Sequence, residues 1–269
     1  MTTLPCHGRI SCRLCWPETD KVIRTFEDKS STGLKLKFHF ENNPGAWGSS
    51  NPLIMVLGQT KGFTQSDDMA RATTAQGYEA VAFSDCRIEL HAILRSVGLA
   101  DNLRNIDPLF RADEPDWHWG SLIRCTLAAW DKSIDKKTEK PKGWSSSSSL
   151  VGRSYSAKEA SAIPNNCVKR FLSDLPDRLR LVILLGNSAD HIERVRTVIG
   201  DLYQDLRIHS QAPEVAYLAG GVAWVHVVHP SGAARGYHRQ FIDAEPGTAQ
   251  GRKALEARRA IAIALGDSL

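Results

Sequence analysis

The sequence predicts an α/β protein, with a parallel sheet covered by helices on both faces. Apolar runs of strand length recur at residues 53–57, 121–127, 179–185 and 225–228. Such continuous runs are how strands buried on both faces read, whereas half-exposed strands alternate. Helical patterns separate and follow these runs, at residues 88–97, 188–202 and 247–265, and alternation of the two element types is the mark of a parallel sheet. The 269 residues suit one large domain spanning 1–269 better than two small ones, and no internal repeat is visible.

Taken in order, residues 34–40 (LKLKFHF) alternate and read as an edge strand whose lysines discourage further pairing. The run at 53–57 (LIMVL) ends in Gly58-Gln59-Thr60-Lys61-Gly62. Residues 88–97 place Leu90, Ile93, Leu94 and Val97 on one helical face, and Gly98 follows where a helix end favours glycine. The second strand is expected at 121–127 (SLIRCTL) and the third at 179–185 (LRLVILL), the latter leading through Gly186 into a helix. The fourth, broken only by His226, must stop at His229, because Pro230 has no N–H to give a ladder. Residues 131–149, rich in lysine and serine, read as a flexible surface insertion too polar to order itself. Its Lys132, Lys136, Lys137, Lys140 and Lys142 suit non-specific phosphate contacts.

Hydrophobic residues make up 42% and charged residues 24%, the balance of an ordinary globular chain. The net charge of +4 permits a nucleic-acid partner without demanding one. No charged-then-apolar leader and no apolar run of membrane-spanning length is present, so the expectation is a cytoplasmic protein with no membrane partner; a monomer is expected as well. In a reducing compartment the six cysteines read as thiols or metal ligands rather than disulfides, and Cys12-x-x-Cys15 is the most ligand-like pair. No Gly-x-Gly-x-x-Gly or P-loop string supports the rival reading of a nucleotide-binding protein with a structural zinc.

The stretch after the fourth strand, His229-Pro230-Ser231-Gly232-Ala233-Ala234-Arg235-Gly236, is the most informative. A histidine at the carboxyl end of a parallel strand sits where open α/β sheets bind ligands. The string resembles the His-Pro-Ser loop of the uracil-DNA glycosylase superfamily, and the order of parts is similar from about Cys12 to the last helix. The nearest likeness is to the branch that carries an iron–sulfur cluster.

That resemblance implies a three-layer α/β/α sandwich with a four-stranded parallel sheet and a pocket at the strand ends. It implies that Cys12, Cys15, Cys125 and Cys167 hold a [4Fe-4S] cluster, although by thiolate chemistry alone zinc suits them equally. Cys6 is a rival ligand and Cys86 falls outside the pattern. It implies that His229 donates a hydrogen bond to the departing base and that Gln59 positions water. Phe83 would stack on a flipped base, Ser121 would stand where the family reads the base with Asn, and Thr60 and Lys61 would face the base. Ser231 and Arg235 would hold DNA phosphates. Gln59 replaces an acidic residue or its equivalent and is a poor base, with Asp67 and Asp68 as candidate substitutes.

The function expected on this resemblance is a DNA glycosylase acting on a flipped modified pyrimidine. One such target class is hypermodified cytosine of phage DNA, which would make the chain a defence enzyme. An ordinary uracil-DNA glycosylase and a non-catalytic DNA-binding member of the fold are the alternatives.

Overall fold

Residues 4–15, 23–135, 138–139, 141–231 and 235–266 are described in a computed structural model, except for the side chains of Pro141 and Arg235. The strands are β1 (Gly8–Arg9), β2 (Ile23–Lys29), β3 (Lys35–Glu41), β4 (Gly45–Gly48), β5 (Ile54–Gly58), β6 (Trp117–Ser121), β7 (Thr126–Ile134), β8 (Pro141–Ser145), β9 (Leu181–Leu185), β10 (Arg207–Ile208), β11 (Ala216–Ala219) and β12 (Val222–Val227). The helices are α1 (Phe63–Arg71), α2 (Ala75–Glu79), α3 (Arg87–Ser96), α4 (Ser148–Val151), α5 (Ala162–Leu172), α6 (Ala189–Gly200), α7 (Arg235–Ile242) and α8 (Ala249–Leu265).

The expected four-stranded parallel sheet is corrected to an eight-stranded mixed sheet of order β1-β4-β6-β5-β9-β12-β11-β10. Its centre, β6-β5-β9-β12, is parallel throughout. Antiparallel strands extend both edges. One extension follows from Gly220 and Gly221, whose φ of 59° and 73° form the two-glycine turn that folds β11 back onto β12.

Side chains of the central strands alternate between two apolar layers. Ile54, Val56, Ile183, Leu185, Val225 and Val227 enter the core covered by α3, α7 and α8. Met55, Leu57, Val182, Leu184, Val222 and Trp224 enter the core on the opposite face, with α5 and α6. Both faces are therefore dry, which explains the unbroken apolar runs. Cutting Ile183 or Leu184 back to Ala would cost about 2–5 kcal/mol. The face of α3 is buried through Leu90, Ile93, Leu94 and Val97, and Gly98 ends the helix at φ 83°.

The second strand also needs correcting: it is Trp117–Ser121, not 121–127. Leu122–Cys125 form a bend, and the chain then enters a second, antiparallel sheet of order β2-β3-β7-β8 that the sequence reading did not anticipate. The apolar run spans two sheets because its residues are buried on both sides of the bend. Residues 34–40 do not form an edge strand: β3 lies between β2 and β7. Its alternation reports one buried face, with Leu36, Phe38 and Phe40 inward, and says nothing about its neighbours within the sheet.

The segment read as an insertion is largely structured. The β7–β8 hairpin pairs Trp130 with Trp144, and α4 buries Leu150 and Val151. Of these four, Trp144 lies within 131–149, and Trp130, Leu150 and Val151 flank it, so the segment is anchored mainly from its two ends. Lys136, Lys137 and Lys140 lie outside the described residues. Among the described residues no helix is long and apolar enough to cross a membrane.

Candidate functional site

The carboxyl ends of the parallel strands lie along one edge of the large sheet, its mouth. Gly58 ends β5 and pairs with Ser121 at the end of β6. A Cβ placed on Gly58 would lie 3.8 Å from Ser121 Oγ and 3.9 Å from Phe83 Cζ, so these three meet at one point. Phe83 is half-buried, leans on Trp119 and Phe110, and holds φ at 55°. A bulky residue in the left-handed region is strained, and such strain gathers at functional sites. Gln59 is buried, its Nε2 donates to Tyr155 Oη at 3.0 Å, and its Oε1 has no partner among the described residues.

His229 follows β12, two strands away from β5 and so about 10 Å across the sheet. Its Nδ1 accepts the backbone N–H of Ser231 at 3.1 Å, which leaves the ring proton on Nε2. Burial, with a smaller contribution from the charge of His238, lowers its pKa to about 4. At neutral pH the ring is therefore an uncharged donor. His238 on α7 donates from Nε2 to the carbonyl of His229 at 2.7 Å and fixes the turn. Gly232, Ala233 and Ala234 lie outside the described residues, as does the side chain of Arg235, the first residue of α7.

Beside this turn is a histidine pair that the sequence reading missed. His226 Nδ1 donates to the carbonyl of Gly186 at 2.8 Å, and its ring meets that of His191 at 5.6 Å. Burial lowers His226 to about 3 and His191 to about 4. Asn187, buried just past the end of β9, was also missed. Its Nδ2 donates to Gln250 Oε1 and its carbonyl accepts from Lys253. The Gly186-Asn187-Ser188 string directly after an apolar strand was the available signal.

Thr60 and Lys61 do not serve the mouth. The Thr60 hydroxyl donates to the carbonyl of Cys125 and accepts from the N–H of Leu127, which ties the β5 loop to the second sheet. Lys61 is fully buried, and its ammonium donates to the carbonyl of Arg124. The expectation that both face a base is replaced: they belong to the thiol region. Asp67 and Asp68 lie on α1, with Asp68 paired to Arg71 at 2.7 Å.

Cys125 and Cys167 are buried in the core beneath the second sheet, with Cys12 and Cys15 packed against it. Burial raises Cys125 to about 11 and Cys167 to about 12, and the charges of Cys12 and Cys15 push both further up. The four sulfurs are therefore electrostatic neighbours, although among the described residues no three metal-type side chains are drawn onto one point. N–H groups already address the sulfurs: Asn166 Nδ2 to Cys15 at 3.6 Å, and the backbone of Arg124 to Cys167 and of Asn43 to Cys125.

Two cations are buried with these thiols. Lys61 is felt by Cys125 and Cys167, and Arg124 by Cys167. Arg124 Nη2 has no hydrogen-bond partner among the described residues, and Gly120 is the residue that leaves its guanidinium room. The carboxylate that reaches Lys61, Glu41, is already bonded to His39, Asn43 and Ser66. Buried positive charge needs buried negative charge. Four thiolates around a divalent ion, or around an oxidised [4Fe-4S] cluster, carry a net charge of about −2 and balance both cations. By donor chemistry the residues fit a tetrathiolate metal centre. Cys6 is exposed and Cys86 stands apart on its own turn.

Two surface hollows lie elsewhere, one against Asp68, Arg71 and Val81 and the other against Cys6, His7 and Glu114. No protein-family model matches the chain, and no curated protein matches it significantly.

Proposed function

We propose that this chain is a DNA glycosylase of the uracil-DNA glycosylase type, with a structural metal centre held by Cys12, Cys15, Cys125 and Cys167. The observation that carries the reading is the state of His229: a neutral ring at the end of a central parallel strand, with Nδ1 occupied and its proton on Nε2.

Cleavage of an N-glycosidic bond sends the bonding electrons to the base and leaves cationic character on the sugar. A fixed N–H donor at the base oxygen stabilises that charge as it forms, and one such donor is worth about 2.7–4 kcal/mol. A neutral donor suits the task better than a charged one here, because burying an imidazolium costs free energy. Phe83 offers a face for the flipped base. The free Oε1 of Gln59 accepts a hydrogen from the water whose oxygen bonds to the sugar carbon. The water's second proton leaves with the base or to solvent, since an amide cannot take it. The metal centre supplies structure and takes no part in these steps.

Preference for a modified or bulkier pyrimidine over uracil rests on Ser121 alone, now that Lys61 is committed to the thiols. A hydroxyl both donates and accepts, so it reads the pyrimidine edge poorly. Ser231 anchors the turn through its N–H, and Arg235 begins α7 as the phosphate-contact candidate.

The test is base release, read by mass, from oligonucleotides carrying uracil or modified cytosines. His229→Ala should lose about 100- to 1,000-fold in turnover and keep its DNA affinity. Binding without release from any substrate leaves the non-catalytic alternative. Release of uracil faster than of every modified pyrimidine identifies an ordinary uracil-DNA glycosylase.

A further inference from the structure

We propose that the outer face of the second sheet is a binding platform for single-stranded DNA. Strand β3 turns Leu36, Phe38 and Phe40 into the core with the thiols and presents Lys35, Lys37 and His39 on the other side. On that outer face four half-buried rings form a continuous row. Phe63 meets His39 at 5.3 Å, His39 meets Trp144 at 5.6 Å, and Trp144 meets Trp130 at 5.1 Å, nearly edge to face. None of the four belongs to the three apolar cores of the described residues. Three large aromatics and a histidine on a sheet's solvent side, serving no core, have surface left for a ligand.

The charges around the row select that ligand. Lys37 Nζ lies 5.9 Å from the centroids of both tryptophan rings. Lys35, Lys132 and Lys142 are exposed on the same two hairpins. The acids on these strands' ligand side and rim are Glu27, also exposed, Asp131, which is near Lys142, and Glu41, which is engaged by His39 at 2.8 Å. Aromatic faces interleaved with lysines match unstacked bases on a phosphate backbone. Duplex DNA cannot use the rings, because its bases are stacked on one another. The row also has a direction. Phe63 begins α1 directly after the Gly58–Gly62 loop, and Ser146 Oγ lies 3.5 Å from where a Cβ on Gly62 would be. A strand lying on the rings therefore leads towards Gln59 and the mouth.

This deepens the glycosylase reading by naming a single-stranded substrate, yet binding on this face requires no catalysis. The experiment is a fluorescence titration with a thymidine homopolymer and with a duplex, since stacking on Trp130 and Trp144 quenches their emission. Wild type should bind the single strand with quenching. Trp144→Ala should weaken that binding about 5- to 150-fold, and Trp144→Phe should restore most of it. Lys37→Ala should lower the log–log salt slope by about 0.7. Circular dichroism checks that each variant folds.

No binding of the homopolymer by wild type, or unchanged affinity in a folded Trp144→Ala, overturns the platform. So does an equal loss on duplex and single strand. Tight, quenched binding without base release from any oligonucleotide sinks the glycosylase reading and leaves the platform standing. Base release with unaltered single-strand affinity in Trp144→Ala does the reverse.

Discussion

At the mouth of the large sheet the buried titratable groups are histidines, and beside the second sheet they are thiols and two cations. Burial acts on both regions by the same rule, penalising whichever form is charged. It lowers His229 and His191 to about 4 and His226 to about 3, and it raises Cys125 to about 11 and Cys167 to about 12. The consequences differ because of what stands alongside. His229 is satisfied as a neutral ring, its Nδ1 accepting from Ser231, whereas His226 Nε2 and His191 Nδ1 have no hydrogen-bond partner among the described residues and feel the nearby cations Lys253 and Arg194. The thiols are neighboured by Lys61 and Arg124, and neutral thiols leave those cations with Glu41, already bonded to His39, Asn43 and Ser66, as the carboxylate that reaches Lys61. Burial holds the rings of one region neutral; in the other it places two cations beside thiols that can become anions.

The sharpest way to break this contrast is at the thiols. Cys167→Ser and Cys125→Ser should each lose the metal and most of the soluble protein, because metal binding, about 10 kcal/mol or more in small zinc domains, is folding free energy. Iron, sulfide and zinc analysis of the purified chain identifies the metal. Stoichiometric iron and an unchanged melting temperature in either variant would falsify the assignment of that ligand.

A second prediction concerns acid. His118 and His226 are lowered to about 3, and His191 and His229 to about 4, from an ordinary 6.5, chiefly by burial. Between pH 6.5 and about 4 the unfolded chain therefore binds protons that the folded chain does not. The stability these groups contribute is full above pH 6.5 and is lost as pH falls, towards 4 for His191 and His229 and towards 3 for His118 and His226. Each histidine adds about 1.4 kcal/mol per pH unit to that decline. Denaturant unfolding at pH 6.5 and 4.5 measures the slope, and His226→Gln should flatten it by about one proton. Equal stability at the two pH values would show that the rings are already charged when folded.

The smallest expected effect is the most discriminating. Lys61→Met removes a buried cation. If no metal is present, the variant should be more stable, by about 1–4 kcal/mol, as apolar replacements of buried charges often are. If four thiolates surround a metal, the same variant should give up that metal to a chelator faster than wild type. The sign of the change therefore reports whether the region holds an anion.

How much of this was legible in the chain depended on which distances mattered. The apolar runs at β5, β9 and β12 and the spacing of α3 were readable, because burial on both faces of a strand, or on one face of a helix, is written into consecutive residues. His229 at a strand end was readable for the same reason: Pro230 marks where the ladder stops. Cys12, Cys15, Cys125 and Cys167 could be singled out by residue type, though nothing in the chain itself brings them together.

What only the tertiary structure decided is everything that depends on which way a loop or strand faces after its element ends. Lys61, in a glycine-flanked loop at a strand end, reads as a residue facing the base, yet the parallel bridge from Lys61 to Thr126 turns it into the thiol core. Residues 121–127 read as one strand because local hydrophobicity cannot distinguish a straight buried segment from one that bends between two sheets. The second sheet was invisible because its strands come from two hairpins far apart in the chain, and its edges are set by pairing rather than composition. Periodicity reports the face a residue buries. The partner it is buried against is a long-range choice, made by the chain as a whole.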